Sequence, residues 1–144
     1  TESGQFYIPL WIDDTPADSE GKVYLTHNEH YAISDEDTLL TVGSKKIRFR
    51  LPLVKGEITK VTFSMNEAPL GSDAIFDVAV GGVALFTTKP SIDKGEFTTE
   101  TAVVPSVINN GFFNGDDEVW VNIDQVGATS AGKGLKMRIY YTTY

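Results

Sequence analysis

Gly127-Ala128-Thr129-Ser130-Ala131-Gly132-Lys133 fills the first seven positions of a phosphate-binding P-loop, G-x-x-x-x-G-K. In such a loop the backbone amides wrap the phosphates, the lysine reaches their outer oxygens, and a Ser or Thr in the next position holds magnesium. Position 134 is Gly, which has no hydroxyl to offer a metal. The motif also requires a helix to follow, because the amides of the helix N-terminus complete the anion cradle. Instead Leu135, Met137, Ile139 and Tyr141 alternate with Lys136, Arg138, Tyr140 and Thr142, the period of a strand. The stretch therefore reads as a small-residue loop between two strands, and no nucleotide is expected to bind.

His27 and His30 stand three apart with Glu29 between them. Two imidazoles need a third ligand to hold a metal, and the helical zinc signature needs a spacing of four on a helix. Neither condition is met by this polar, irregular stretch. A Ser-His-Asp site would need one of these two histidines, and no G-x-S-x-G elbow exists to join it. Carboxylates cluster at Asp13-Asp14, Asp35-Glu36-Asp37 and Asp116-Asp117-Glu118. Paired carboxylates hydrolyse glycosides only at a defined separation, and calcium needs a set of oxygen ligands such as the EF-hand spacing, which none of the three has. All three read as solvated turn residues. No catalytic residue, metal or cofactor is expected, and the chain is read as non-catalytic.

Large aromatics in the polar phase of a strand are a different kind of signal. Trp120 lies opposite in phase to Val119, Val121 and Ile123, Tyr140 opposite to Ile139 and Tyr141, and Trp11 sits in an apolar stretch near the start. Such side chains mark a contact with a sugar or a protein, or they lie beneath another segment of the same chain. Both readings stay open at this point.

The elements that position these residues are strands. Ile47, Phe49 and Leu51 alternate with Arg48 and Arg50; Val61, Phe63 and Met65 with Lys60, Thr62 and Ser64; Val119, Val121 and Ile123 with Trp120, Asn122 and Asp124. Phe76, Val78 and Val80 share one face, and Gly81-Gly82 then reads as a tight hairpin turn into Val83–Thr88. Residues 97 to 104 are Thr-rich and strand-like, residues 22 to 26 read as a candidate short strand, and residues 105 to 110 offer one helical turn at most. One apolar and one wet face per strand predicts two antiparallel sheets packed as a sandwich. Val61, Phe63, Phe76, Val78, Val121, Ile123, Met137 and Ile139 are expected to share a single core.

Composition sets the outer limits. The 144 residues suit one domain and include no cysteine, so disulfides and thiolate metal sites are excluded. The formal net charge of −8 argues against nucleic acid, which needs a basic stripe. No apolar run reaches about 18 residues, so no membrane-spanning helix is expected, and Thr1-Glu2-Ser3-Gly4 shows neither the basic region nor the apolar core of a signal peptide.

Residues 57 to 99 run EITKVTFSMNEAPLGSDAIFDVAVGGVALFTTKPSIDKGEFTT, and residues 118 to 141 run EVWVNIDQVGATSAGKGLKMRIYY. Together they resemble a small β-sandwich module of tailed-phage virion proteins, both head decoration and tail-fibre types. The resembling features are a strand ending Thr59-Lys60-Val61, an Ala68-Pro69 turn near Gly71, and the Ile75 to Val78 strand. A glycine turn then leads into Leu85 to Thr88, and Val121 to Gly127 precedes the small-residue loop and final strand. The pattern covers roughly the last hundred residues and consists of turn and core positions. It implies an all-β, jelly-roll-like sandwich over residues 45–144; residues 1–44 fall outside the pattern and are read, from their own residues, as an extended arm with extra strands. It further implies a structural virion protein made in the host cytoplasm and carried on the capsid surface. Its expected role is a head decoration, or cement, protein binding the major capsid protein as a homotrimer, without nucleic acid or membrane. The alternative is a tail-fibre or receptor-binding module that binds a host surface glycan. A short chain that begins just before its own domain suits the free-standing decoration protein better.

The arm carries the expected contact residues. Phe6, Tyr7, Ile8, Leu10, Trp11 and Ile12 lie close together, and Pro9 bars them from a central strand because it lacks a ladder donor. Left in water they would form an apolar patch that soluble monomers avoid. They are expected either to add as a strand to a neighbour's sheet edge or to complete their own sandwich.

Overall fold

A computed structural model describes residues 25–144. Among these residues eleven strands run in chain order: β1 (Leu25–Ala32), β2 (Gly43–Arg50), β3 (Gly56–Ser64), β4 (Ala74–Val80), β5 (Val83–Ala84), β6 (Phe86–Thr88), β7 (Ser91–Ile92), β8 (Val107–Ile108), β9 (Phe112–Phe113), β10 (Glu118–Gln125) and β11 (Lys136–Thr143). The first sheet has the order β1-β11-β3-β9; the second has the order β2-β10-β4-β5, with β7 also pairing β4. Every pairing is antiparallel, and β6 and β8 form a small separate ladder. The expectation of an all-β chain with two antiparallel sheets holds. The only helical element among the described residues is one 3-10 turn, Thr99–Thr101.

All eight residues expected in the core are buried, Phe76, Val78, Val121 and Ile139 completely. The rings of Phe63 and Phe76 stack at 4.6 Å, joining β3 of one sheet to β4 of the other. At the β1/β2 side of the sandwich, Tyr31 and Phe49 stack at 3.9 Å and join the sheets again. Ile58 also points inward although it stands three residues before Val61, because a bulge at Thr59 shifts the register of β3 against β11.

The glycine turn forms as expected. Gly81 and Gly82 have φ of 59° and 83°, and Val80 pairs Val83 across them. Two successive left-handed residues twist the chain to match the flanking strands, which is why the pair is Gly-Gly.

Several local expectations are corrected. The helical turn expected over residues 105 to 110 is strand β8, paired with β6. Residues 97 to 104 make no strand: Thr98 caps the 3-10 turn by accepting a hydrogen bond from the Glu100 amide at 3.1 Å. The stretch after His27, read as irregular, continues β1 to Ala32 and pairs β11 along its whole length. Residues 25 to 44 of the expected arm thus contribute β1 and the start of β2 to the sandwich. The remainder of that arm, including Phe6, Tyr7, Ile8, Leu10, Trp11 and Ile12, lies outside the described residues.

Candidate functional site

Strand alternation places the polar phase of β1, β11 and β3 on the outer face of the first sheet. Register then lines these residues up in rows: His30, Arg138 and Thr62 in one, Asn28, Tyr140 and Lys60 in the next, Ala32, Lys136 and Ser64 in a third. The 3-10 turn stands beside β3 as a wall. It is tied there by the Phe63 amide donating to Thr99 Oγ1 at 3.0 Å, and by the Ser64–Thr98 bridge. Lys60 reaches across to Glu100 at 2.8 Å, and that hydrogen bond holds the ammonium above its ordinary value. The ion pair divides two clefts. One, of about 400 Å³, has His30, Thr62, Ser64, Thr98, Glu100, Arg138 and Tyr140 in its lining. The other, of about 300 Å³, lies towards Pro105 and Ile108.

Charge compensation is uneven in this groove. Lys60 pairs Glu100, and Lys136 pairs Glu36. Arg138 instead donates to the Tyr140 hydroxyl at 3.2 Å, with its guanidinium 6.0 Å from that ring, and meets no carboxylate among the described residues. The row mates of Arg138 are His30 and Thr62, so register itself supplies no anion.

Behind this face lies a second polar cluster. His27, Glu29 and Tyr31 alternate inward along β1. Tyr31 and Tyr141 each donate to Glu29 at 2.5 Å, one to each carboxylate oxygen. These bonds, that of Tyr141 foremost, lower the Glu29 pKa below the ordinary carboxylate value of 4.5. Burial first, and the Glu29 carboxylate second, push Tyr141 up to about 12. His27 stacks on Tyr141 at 4.9 Å, and its Nε2 lies 2.9 Å from Thr143 Oγ1. The cluster closes the flank of the core rather than opening onto a ligand.

A pH dependence follows from it. The lowered Glu29 pKa gives stability that is present above the unfolded value and lost as pH falls through the folded one. The raised tyrosine pKa gives stability that is lost as pH rises above about 10. Glu29→Gln is expected to destabilise the protein by about 1–2 kcal/mol at neutral pH and to flatten the acid limb of a melting-temperature profile taken from pH 7 to pH 3. An acid limb as steep as that of the wild type would show that Glu29 is not its source.

Asp13, Asp14 and Trp11 lie outside the described residues; the other sequence candidates resolve by geometry. His27 and His30, three apart on a strand, point to opposite faces, so they cannot share a metal. No group of three metal-ligating side chains occurs among the described residues. Asp116 pairs Arg50 at 3.5 Å, Glu118 pairs Arg48 at 3.2 Å, and Asp117 accepts from the Asn114 amide, so this acidic run stabilises a turn. Asp35 and Asp37 are exposed, and Glu36 is the partner of Lys136. The P-loop lookalike runs between β10 and β11 without a helix, and Lys133 faces Glu67 at 3.8 Å.

Trp120 and Tyr140 do point outward, but from different sheets. Trp120 is half-buried beneath Lys45, whose ammonium sits 4.0 Å from the ring centre, and its indole donates to Glu118 at 2.7 Å. Its polar tip is thus satisfied within the sandwich, whereas Tyr140 sits beside an open cleft.

No protein-family model matches the chain, and no curated protein matches it. Roles for these residues therefore rest on geometry. Sequence reasoning placed Tyr140 on an outer face and missed the groove around it. The alternation of Lys136, Arg138 and Tyr140 carried half of the signal. Glu100 carried none, because residues 97 to 104 read as a strand.

Proposed function

We propose that the chain is a non-catalytic structural module of a tailed-phage virion: a head decoration protein that binds and stabilises the major capsid protein lattice as a homotrimer on the capsid surface. The observation that carries this reading is the exposure of two separate groups of apolar side chains. Leu53, Val83 and Phe112 are 81%, 61% and 61% exposed on segments that meet at one end of the sandwich, while Phe97, Val103 and Val104 are 54%, 86% and 60% exposed around the 3-10 turn. Near the first group, the Asp116 amide donates to the Pro52 carbonyl and the Gly81 amide to the Glu118 carbonyl. Soluble monomers keep such patches small. Two unlike patches are also what a head-to-tail ring needs, since each interface then joins different surfaces of neighbouring copies.

Strand connectivity supports the jelly-roll part of the reading. β1, β2, β3 and β4 fall alternately in the first and second sheets, and β10 and β11 return to lie second in each. Such alternation fits the winding of a double-sheet jelly roll, a fold used by viral capsid proteins and by lectins. A tail-fibre or receptor-binding module is the second reading, favoured by the open groove at Arg138 and Tyr140.

Phe6, Tyr7, Ile8, Leu10, Trp11 and Ile12 are proposed as the attachment arm, adding main-chain hydrogen bonds to an edge of a capsid or neighbouring subunit. Immunogold labelling of purified particles should place the protein on heads. Protein lacking residues 1 to 12 should keep its melting temperature within about 3 °C yet fail to attach. Label confined to tails would sink the decoration reading, and a truncated protein that unfolds or attaches normally would sink the arm.

A further inference from the structure

We propose that the larger cleft on the outer face of the first sheet binds an acidic sugar, a pyranose ring carrying a carboxylate, with Arg138 taking the carboxylate and Tyr140 the ring face. This rests on the receptor-binding reading of the groove and is independent of the lattice reading.

The charge pattern is the first ground. In a chain with 20 acidic against 12 basic residues, carboxylates are plentiful, and Lys60 and Lys136 on the same face have each found one. Arg138 has none among the described residues; its contacts there are the hydroxyl and ring of Tyr140. An arginine presents a planar fork of donors that matches a carboxylate bidentately, and at Arg138 the Tyr140 hydroxyl engages only Nη1.

The shape and lining of the cleft are the second ground. Its volume of about 400 Å³ holds a sugar ring with substituents. Tyr140 offers a partly buried aromatic face beside the guanidinium, and Thr62, Ser64 and Thr98 bring hydroxyls that both donate and accept. A ligand dense in hydroxyls uses that mixture; Glu100, fixed by Lys60, adds a strong acceptor on the wall. Other ligand classes fit less well. A nucleic acid needs a stripe of free cations, and here the flanking lysines are neutralised. An apolar peptide needs a buried anchor pocket, and the accessible groups here are polar.

The test is calorimetric titration of the full chain with 3′-sialyllactose and with trigalacturonic acid, using lactose as the uncharged comparison. At least one acidic probe should bind saturably, with lactose at least about tenfold weaker. Arg138→Gln should cut that affinity by at least about tenfold with an unchanged melting temperature, and Arg138→Lys should fall between, because an ammonium keeps the charge but loses the fork. The proposal is overturned if neither acidic probe binds at about 10 mM, if lactose binds as well, or if Arg138→Gln keeps its affinity. Adsorption of phage carrying Arg138→Gln separates this site from the receptor reading. Sugar binding lost with host adsorption intact would leave the site standing and remove its role in host attachment.

Discussion

Phe76→Ala is expected to remove a large part of the stability of the sandwich. Phe76 is completely buried and stacks on Phe63 at 4.6 Å, so one ring spans the gap between β4 and β3 and touches both sheets. Truncating it removes the transfer free energy of the ring and leaves a cavity that two hydrogen-bonded sheets cannot collapse to fill. Phe-to-Ala changes at such sites cost about 3–5 kcal/mol, against a total stability of about 5–15 kcal/mol for a domain. The aromatic pairing adds about 0.5–1.5 kcal/mol beyond area burial, and it is lost with either partner. The melting temperature should fall by about 10–15 °C. Val103→Ala, at a position 86% exposed, should change it by no more than about 0.5 kcal/mol in equivalent stability. A Phe76→Ala protein that melts within about 3 °C of the wild type would mean that the two sheets do not share this core.

The core was legible because strand alternation is a local property. A residue's hydropathy and its place in a period of two are enough to put Val61, Phe63, Val121 or Met137 on the inner face. The same rule fails wherever an inward residue is polar. In β1 the inward set is His27, Glu29 and Tyr31, half-buried and held by hydrogen bonds and ring stacking. Their partners Tyr141 and Thr143 lie more than a hundred residues away, so no window around β1 could reveal a strand there. Thr-rich residues 97 to 104 misled for the opposite reason. Their propensity favours a strand, but capping at Thr98 and the Thr99 bond to β3 settle a single turn instead. The groove needs three strands in register and that turn, which is why only Tyr140, on the outward phase of one strand, could be singled out from the sequence.

Gly127 offers the sharpest contrast between the chemistry its motif mimics and the structure it serves. A Cβ at Gly127 would lie 2.1 Å from the Ser130 carbonyl oxygen, 2.6 Å from the Leu70 nitrogen and 2.7 Å from the Leu70 carbonyl oxygen. All three are backbone atoms, so no side chain can rotate aside. They belong to an interlock between two loops at one end of the sandwich. The Leu70 amide donates to the Ser130 carbonyl at 2.9 Å, and the Thr129 amide donates to the Leu70 carbonyl at 2.9 Å. Ser72 bridges to both the Val126 carbonyl and the Ala128 amide. A methyl group at Gly127 must push these loops apart. Overpacking of this kind costs about 1–3 kcal/mol, and each backbone group then left without a partner about 1–3 kcal/mol more. Gly127→Ala is therefore expected to lower stability by about 3–5 kcal/mol, measured by urea unfolding. Lys133→Ala should be nearly neutral, within about 0.5 kcal/mol, because its pairing with Glu67 is long and on the surface. A nucleotide loop would behave the other way round: its lysine would carry binding, and its first glycine would be important only when phosphate is present. Gly127→Ala protein as stable as the wild type would refute the interlock and reopen the question of what these glycines are for.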